Sequence, residues 1–167
     1  MITSLVLALA AAATPAEASF VLPSGVKVQI VEAPFKRQDW HVEGCGEDDK
    51  ICLIDGHPPF GTAWGTPITY VKSITVEYQG RTHLLDVSNM FNAWGTRPLE
   101  YPGSVRYFGG KCFSPDHCQL RGLFSDGAGA FVAEWVVFNG RCTRTVLTSS
   151  SDVVNLFIKN IDPPEVE

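Results

Sequence analysis

The chain has 167 residues, of which 45% are hydrophobic and 19% charged, and its formal net charge is −5 at pH 7. This length and composition are typical of one globular domain with a hydrophobic core of its own. The mild acidity excludes the basic surface that nucleic acids and anionic membranes require, so we expect no nucleic-acid partner.

The first eighteen residues predict export from the cytoplasm. The apolar run Leu5–Ala13 and the small-x-small sequence Ala16–Ala18 are typical of a secretory signal peptide that is cleaved before Ser19. The apolar run is too short to cross a bilayer, and no second long apolar segment follows it. We therefore expect a signal peptide at 1–18 and a single domain at 19–167, periplasmic or secreted, with no membrane anchor.

The five cysteines indicate disulfides, because an exported chain meets an oxidising compartment. Close spacing favours the pairs Cys45–Cys52 and Cys112–Cys118 and leaves Cys142 unpaired, although spacing alone leaves other pairings open. Closing such short loops removes little entropy from the unfolded chain, so each bridge is expected to stabilise the fold by about 2–3 kcal/mol at most.

The first half of the chain predicts strands separated by irregular segments. Alternating apolar residues at Val26–Val31 predict a half-buried strand. Residues 32–69 are rich in proline and glycine and predict a long irregular region, or one with strands that the pattern hides. Tyr70–Tyr78 and Arg81–Val87 predict a hairpin that turns at Gln79-Gly80.

The next segment is expected to contain one short helix. Ser88 is placed to cap a helix that ends at Trp94, since a serine hydroxyl accepts a hydrogen bond from an otherwise unpaired backbone N–H. Residues 95–129 are again rich in glycine and proline, and we expect irregular structure around the second cysteine pair.

The clearest hairpin lies near the end of the chain. Phe131–Phe138 and Arg141–Thr148 are joined by Asn139-Gly140, the preferred pair for a two-residue type I′ turn. Ser149–Ser151 then predict the cap of an amphipathic helix at Asp152–Asn160. The expected fold class is mainly β: a single compact antiparallel β-rich domain with hairpins, one short helix and a C-terminal helix.

Residues that could carry catalysis or bind a metal form no complete motif. Cys112, His117 and Cys118 are close in sequence, but their spacing departs from that of zinc ligands and a disulfide would consume both thiols. Ser125 lacks the preceding glycine of a nucleophile elbow. Cys142 lies on a predicted strand instead of at a helix N-terminus, although arginines flank it. We predict no catalytic residue, no metal and no cofactor.

One alternative is a secreted enzyme or a carbohydrate-binding domain. Trp40, Trp64 and Trp94 would then form a surface on which sugars stack, although tryptophan is more often part of a core. Glycoside hydrolysis would need two carboxylates at a suitable separation, which the sequence does not give. The candidate carboxylates are Asp39, Glu43, Glu77 and Glu134.

Residues 100–110 have the composition of a binding loop. Pro102-Gly103 favours a tight turn, and tyrosine and arginine are enriched among the residues that dominate interface energies. Proline, and a Cys112–Cys118 bridge just downstream, would reduce the entropy lost on docking. The competing interpretation places Tyr107 and Phe108 in the core of a strand. The residues that we predict to bind a partner are Tyr101, Gly103, Ser104, Arg106 and Tyr107.

This layout resembles the periplasmic immunity proteins of type VI secretion amidase effectors. The shared features are a cleavable signal, a small cysteine-containing β domain and a serine-bearing loop, here Pro102-Gly103-Ser104. Proteins of that family protect a bacterium from cell-wall amidases delivered by its siblings, by plugging the cysteine–histidine active site with a loop. The resemblance implies a non-enzymatic inhibitor that binds a secreted peptidoglycan amidase in a 1:1 complex, with Ser104 in the cleft. The S-G-x-x-Y and W-x-x-K-G patterns of lysozyme-inhibitor lipoproteins are missing, as is a lipobox cysteine.

Overall fold

The computed structural model describes residues 14–162 except 47, 48, 50, 63, 64, 101–107 and 126. In this part of the chain the structure is mainly β, as predicted, with antiparallel pairing between all of the named strands and one α helix. The strands are β1 (Ala16–Val21), β2 (Lys27–Pro34), β3 (Val42–Gly44), β4 (Cys52–Ile54), β5 (Thr69–Tyr78), β6 (Arg81–Leu84), β7 (Phe108–Ser114), β8 (His117–Phe124), β9 (Phe131–Phe138) and β10 (Arg141–Thr148), and the helix is α1 (Ser151–Lys159).

The first sheet has the strand order β1-β2-β5-β6. In β2 the apolar residues that alternate with polar ones, such as Val28 and Ile30, are fully buried, which confirms the predicted strand. The predicted β5–β6 hairpin is also confirmed. Gln79 and Gly80 both have positive φ, 48° and 80°, as a type I′ turn requires.

The second sheet has the strand order β10-β9-β8-β7 and contains the other predicted hairpin. Phe138 pairs with Arg141 across the turn, and Asn139 and Gly140 have φ values of 51° and 73°. This again is the backbone of a type I′ turn, whose twist matches that of the two strands it joins.

The two four-stranded sheets enclose one hydrophobic core. Ile30 and Ile74 from the first sheet belong to the same buried cluster as Leu120 and Trp135 from the second. Such shared burial is typical of a two-layer β architecture. The sheets are joined through this core, which gives the remaining loops a fixed frame.

Helix α1 covers the opposite face of the second sheet. Val154 and Phe157 are buried against Val132 of β9, so the predicted C-terminal helix is confirmed. One detail differs from expectation. Ser150, the residue directly before the helix, makes no capping hydrogen bond through its side chain.

Part of the segment predicted to be irregular is a hairpin made by β7 and β8. The strand β7 was hidden by its glycines, which local patterns associate with turns. A Cβ at Gly109 would lie 2.3 Å from the carbonyl oxygen of Ile161, and one at Gly110 would lie 2.5 Å from a side-chain carbon of Leu120. Glycine is therefore placed here by close packing against other parts of the molecule.

The predicted short helix from Ser88 to Trp94 is wrong. Ser88 donates its hydroxyl to Asp86 at 2.7 Å instead of capping a helix. The backbone that follows forms turns, and Phe91 donates its N–H to the carbonyl of Phe60 at 2.9 Å. Pairing with another segment thus replaces the hydrogen bonds that a helix would make within itself.

Both predicted disulfides are present. Cys45 is bonded to Cys52 and Cys112 to Cys118, while Cys142 is a free, half-buried thiol. Two bridges fit an oxidising compartment outside the cytoplasm. No helix in the described ranges is both long and apolar enough to pass through a lipid bilayer.

Strand β1 begins upstream of the predicted signal-peptide cleavage site. Ala16 pairs with Glu32 and Ala18 with Ile30, so a cut before Ser19 would divide the strand. The rest of the predicted signal peptide, residues 1–13, lies outside the described residues.

Candidate functional site

The predicted partner-binding residues lie outside the part of the chain that the structure describes. They are Tyr101, Gly103, Ser104, Arg106 and Tyr107. The described residues on either side, up to Glu100 and from Phe108, show how this segment is joined to the domain.

A buried carboxylate holds the chain just before the segment. The side chain of Glu32 on β2 is fully buried. One of its oxygens accepts a hydrogen bond from the Thr69 hydroxyl at 2.7 Å, and the other accepts one from the backbone N–H of Leu99 at 2.6 Å. Leu99 has a φ of 50°, a left-handed conformation that costs about 1–2 kcal/mol in an L-residue. The bond to Glu32 helps to hold that conformation.

Burial raises the pKa of Glu32 above its ordinary value of 4.5. The cause is the loss of solvation of the charged form, which the hydrogen bonds from Leu99 and Thr69 only partly offset. A carboxyl group placed between β2 and the loop at Leu99 therefore links protonation to the anchoring of that loop.

Glu100 closes a second turn directly before the segment. Its carboxylate accepts hydrogen bonds from the backbone N–H of Thr96 at 2.8 Å and from that of Arg97 at 3.3 Å. The hydrogen bond from the Thr96 N–H lowers the pKa of Glu100, since it favours the charged form. The backbone N–H of Glu100 in turn donates to the carbonyl of Arg97 at 3.1 Å.

The chain after the segment enters the core at once. Phe108, the first residue of β7, is 4% exposed and stacks on Trp135 with ring centroids 6.1 Å apart. The interpretation that placed Phe108 in the core of a strand is thus confirmed, while Tyr107 lies outside the described residues. The Cys112–Cys118 bridge lies further along β7, where it joins directly paired residues of the β7–β8 hairpin.

The three tryptophans of the alternative hypothesis have different positions. Trp94 is 1% exposed in the main core, so it offers no stacking surface. Trp64 lies outside the described residues. Trp40 is half-buried, with its ring stacked on that of Phe35 at 5.6 Å, and it lines a surface groove.

This groove has a volume of about 460 Å³. Its apolar lining comes from Val71 of β5 and from Met90 and Phe91, which are all buried. Its other lining comes from two turns, from Trp40, and from the half-buried Tyr70 and the exposed Lys72 of β5. The polar and amphipathic lining residues are Trp40, Asp55, His57, Tyr70, Lys72, Ser88 and Asn89.

The turn that carries Asp55 and His57 is fixed by its backbone. Asp55 and Gly56 have φ values of 50° and 78°, and Ile54 and His57 exchange two hydrogen bonds of 2.9 and 3.0 Å. The Asp55 carboxylate also accepts the backbone N–H of His41 at 2.9 Å. This wall of the groove is a type I′ turn, held at its tip to His41, which directly precedes β3.

The opposite turn is fixed by a network that reaches β10. Arg144 donates to the Ser88 carbonyl at 2.6 Å and to the Ser88 hydroxyl at 3.1 Å, and it lies 3.4 Å from the carboxylate of Asp86. Hydrogen bonds from Ser88 lower the pKa of Asp86, although partial burial opposes them. The indole N–H of Trp135 donates to the Asp86 carbonyl at 2.7 Å.

The candidate carboxylates for glycoside hydrolysis are engaged elsewhere. Glu134 forms an ion pair with Arg121 at 2.6 Å, and Glu77 forms one with Lys27 at 2.9 Å. These two pairs lie on different sheets. Glu43 lies 3.0 Å from His41, and Asp39 is exposed in a short 3₁₀ turn.

The remaining candidates for metal binding or nucleophilic chemistry are also placed by the structure. Cys112 and Cys118 are consumed by their disulfide, and the described residues contain no cluster of three or more His, Cys, Asp or Glu arranged to hold a metal ion. Ser125 donates its backbone N–H to Ala93 at 2.6 Å in the turn after β8. Burial and the charge of Asp86 raise the pKa of the Cys142 thiol, which disfavours the reactive thiolate.

The groove could not be found from local sequence patterns because its residues come from separate segments. The local signals were the Asp55-Gly56 pair, which favours a type I′ turn, and the asparagine at position 89, which tolerates its φ of 62°. No family model matches the chain, and no curated protein or solved structure shows significant similarity to it.

Proposed function

We propose that the chain is an exported, non-enzymatic inhibitor that binds a secreted peptidoglycan amidase and occludes its active site, as an immunity protein does. The segment 101–107 is the element that enters the cleft, with Tyr101, Gly103, Ser104, Arg106 and Tyr107 at the interface. The localisation that this function needs, periplasmic or secreted, is supported by the two disulfides.

The observation that carries the proposal is the anchoring of this segment at both ends. Before it, Leu99 is held by the buried carboxylate of Glu32, and Glu100 closes a hydrogen-bonded turn. After it, Phe108 is fixed in the core against Trp135. Flanking residues that are already fixed do not have to be ordered on binding, which favours the use of the segment between them as an inhibitory loop.

The residues of the segment suit a cysteine–histidine active site. A serine hydroxyl both donates and accepts hydrogen bonds, so Ser104 can pair with a catalytic histidine without offering a cleavable bond. Tyrosine side chains cover apolar surface and keep a polar group for the rim, which would exclude water from the occupied cleft. Inhibition by occlusion requires no catalytic group in the inhibitor.

Inhibition is tested by mixing the purified domain with cysteine–histidine peptidoglycan amidases, including any secreted hydrolase encoded next to this chain. We expect one of them to lose peptidoglycan cleavage at a molar ratio of one to one. Unchanged cleavage by every enzyme at a molar excess of the domain would refute the proposal.

The interface is tested by Ser104→Glu, which places a bulky charge in the cleft. We expect at least tenfold weaker inhibition, because an unpaired charge would be desolvated. Ser151→Glu is the matched control, since Ser151 is exposed at the start of α1, where an acidic side chain is favourable. Equal inhibition by the two variants would show that the interface does not include residues 101–107.

A further inference from the structure

The groove beside Trp40 contains polar side chains that have no partner among the described residues. The ammonium of Lys72, the imidazole of His57, the phenol of Tyr70 and the amide of Asn89 all line it. None of these side chains makes a hydrogen bond or ion pair with another described residue. Four different polar groups facing one concave surface is the arrangement expected of a ligand site.

Both walls of the groove are rigid before any ligand arrives. The Asp55-Gly56 turn is held by its two backbone hydrogen bonds and by the bond from His41, and the Cys45–Cys52 disulfide crosslinks the hairpin that carries it. The Ser88-Asn89 turn is held by Arg144. A site whose walls do not have to be ordered on binding loses less conformational entropy.

The chemistry of the lining selects a particular class of ligand. Trp40 and Tyr70 supply aromatic surface for an apolar ring face, while the carboxylate of Asp55 and the amide of Asn89 can pair with hydroxyl and amide groups. Among the described residues, Lys72 is the one lysine or arginine that lines the groove, and it matches a single carboxylate. A phosphate, with its greater negative charge, would face the Asp55 carboxylate with only one cation to balance it.

We propose that this groove is a binding site for an acidic saccharide, a sugar ring that carries one carboxylate. The ring lies against Trp40 and Tyr70, its carboxylate pairs with Lys72, and its hydroxyl and amide groups bond to Asp55 and Asn89. The volume of about 460 Å³ is within the usual range for small-molecule sites. This property is additional to amidase inhibition and does not depend on it.

Two sugars that differ by one carboxylate test the proposal directly. N-acetylmuramic acid carries a lactyl carboxylate, and N-acetylglucosamine lacks it. We expect saturable binding of N-acetylmuramic acid by isothermal titration calorimetry, with a change in tryptophan fluorescence, and about tenfold weaker binding of N-acetylglucosamine because a charged hydrogen bond is lost. Failure of both sugars to bind, or equal affinity for the two, would overturn the proposal.

Variants of the groove assign the contacts. Lys72→Gln is expected to weaken the binding of N-acetylmuramic acid about tenfold and to leave the binding of N-acetylglucosamine unchanged. Lys159→Gln removes an exposed lysine from α1 and is the matched control, with no change for either sugar. If Lys72→Gln binds N-acetylmuramic acid as tightly as the unaltered chain does, the carboxylate does not pair with Lys72 and the proposal fails.

A third variant separates the amide contact from the fold of its turn. Asn89→Gly removes the amide but keeps a residue suited to the φ of 62° at this position. We expect both sugars to bind several-fold more weakly while the urea midpoint of unfolding stays close to that of the unaltered chain. Unchanged binding of both sugars would remove Asn89 from the site and contradict the assigned geometry. None of these measurements involves an amidase, so they are independent of the proposed inhibition.

Discussion

Glu32 is a fully buried acid whose two carboxylate oxygens are both used in hydrogen bonds, one to Thr69 and one to Leu99. Alternation along β2, continued from Val28 and Ile30, would have placed position 32 on the buried face. The predicted strand ended at Val31 because the segment that follows is rich in proline and glycine. An acid on the apolar face of a strand was therefore a signal of an internal hydrogen-bonding role.

The raised pKa of Glu32 predicts a specific dependence of stability on pH. Above its ordinary value of 4.5, the unfolded chain loses this proton while the folded chain still holds it. The folded state then binds more protons, so the contribution of Glu32 to the free energy of unfolding falls as the pH rises towards the folded pKa. Below pH 4.5 the contribution is fully present.

The variant Glu32→Gln isolates the pH dependence that Glu32 causes, because all other titrating groups are the same in the variant and in the unaltered chain. We expect the difference in the free energy of unfolding, unaltered chain minus variant, to be largest below pH 4.5 and to shrink towards neutral pH. Urea unfolding at a series of pH values measures it. Glu77→Gln, which removes an exposed carboxyl from β5, is the control and should not show that decline. A difference for Glu32→Gln that grows with pH would contradict the sign.

At the scale of elements, hairpins whose information is local were the predictable part of the fold. Both β5–β6 and β9–β10 combine alternating strands with a turn pair that accepts positive φ at both positions. Strand β7 could not be predicted in the same way, because Gly109 is set by the approach of Ile161 from the end of the chain. Long-range packing thus determines the structure of β7, which local sequence propensity does not predict.

The candidate site also has a part that local sequence predicts and a part that depends on long-range packing. The sequence pointed to the segment 101–107 and, through Trp40, to one residue of the groove. It could not bring Asp55, Lys72 and Asn89 to one surface, because they lie on three separate segments. Only the pairing of those segments against the sheet creates the groove.

The Asn139-Gly140 turn predicts a measurable cost for losing its glycine. Gly140 has a φ of 73°, and an added Cβ would meet only the carboxylate of Asp116, at an ordinary 3.5 Å. Gly140→Ala should therefore lower the free energy of unfolding by about 1 kcal/mol through backbone conformation alone. Gly65→Ala is the matched control, because φ is not positive there and nothing lies within 4 Å. Chemical denaturation that shows equal losses for the two variants would rule out this cause.

At the scale of the whole molecule, the two disulfides occupy different environments although their loops are similar in length. Cys112 and Cys118 belong to the core shared by both sheets. Cys45 and Cys52 join β3 and β4, a separate two-stranded sheet that leads into the Asp55-Gly56 turn. Loop length alone predicts about 2–3 kcal/mol for each bridge. Position in the fold decides what else each bridge controls.

Replacing both cysteines of a pair by alanine distinguishes these roles. Without the Cys112–Cys118 bridge, we expect the urea midpoint of the whole domain to fall, because bridged and packed sulfur atoms are lost from the core. Without the Cys45–Cys52 bridge, we expect faster amide hydrogen exchange in β3 and β4 and several-fold weaker binding of N-acetylmuramic acid, since one groove wall loses its crosslink. Each double variant is the control for the other, because both remove one short loop closure. Suppose that both double variants lowered the urea midpoint equally and that neither changed amide exchange in β3 and β4. The two bridges would then not have the different roles proposed for them. The expected results would mean that two crosslinks of nearly the same loop length stabilise different parts of one fold, because they differ in position.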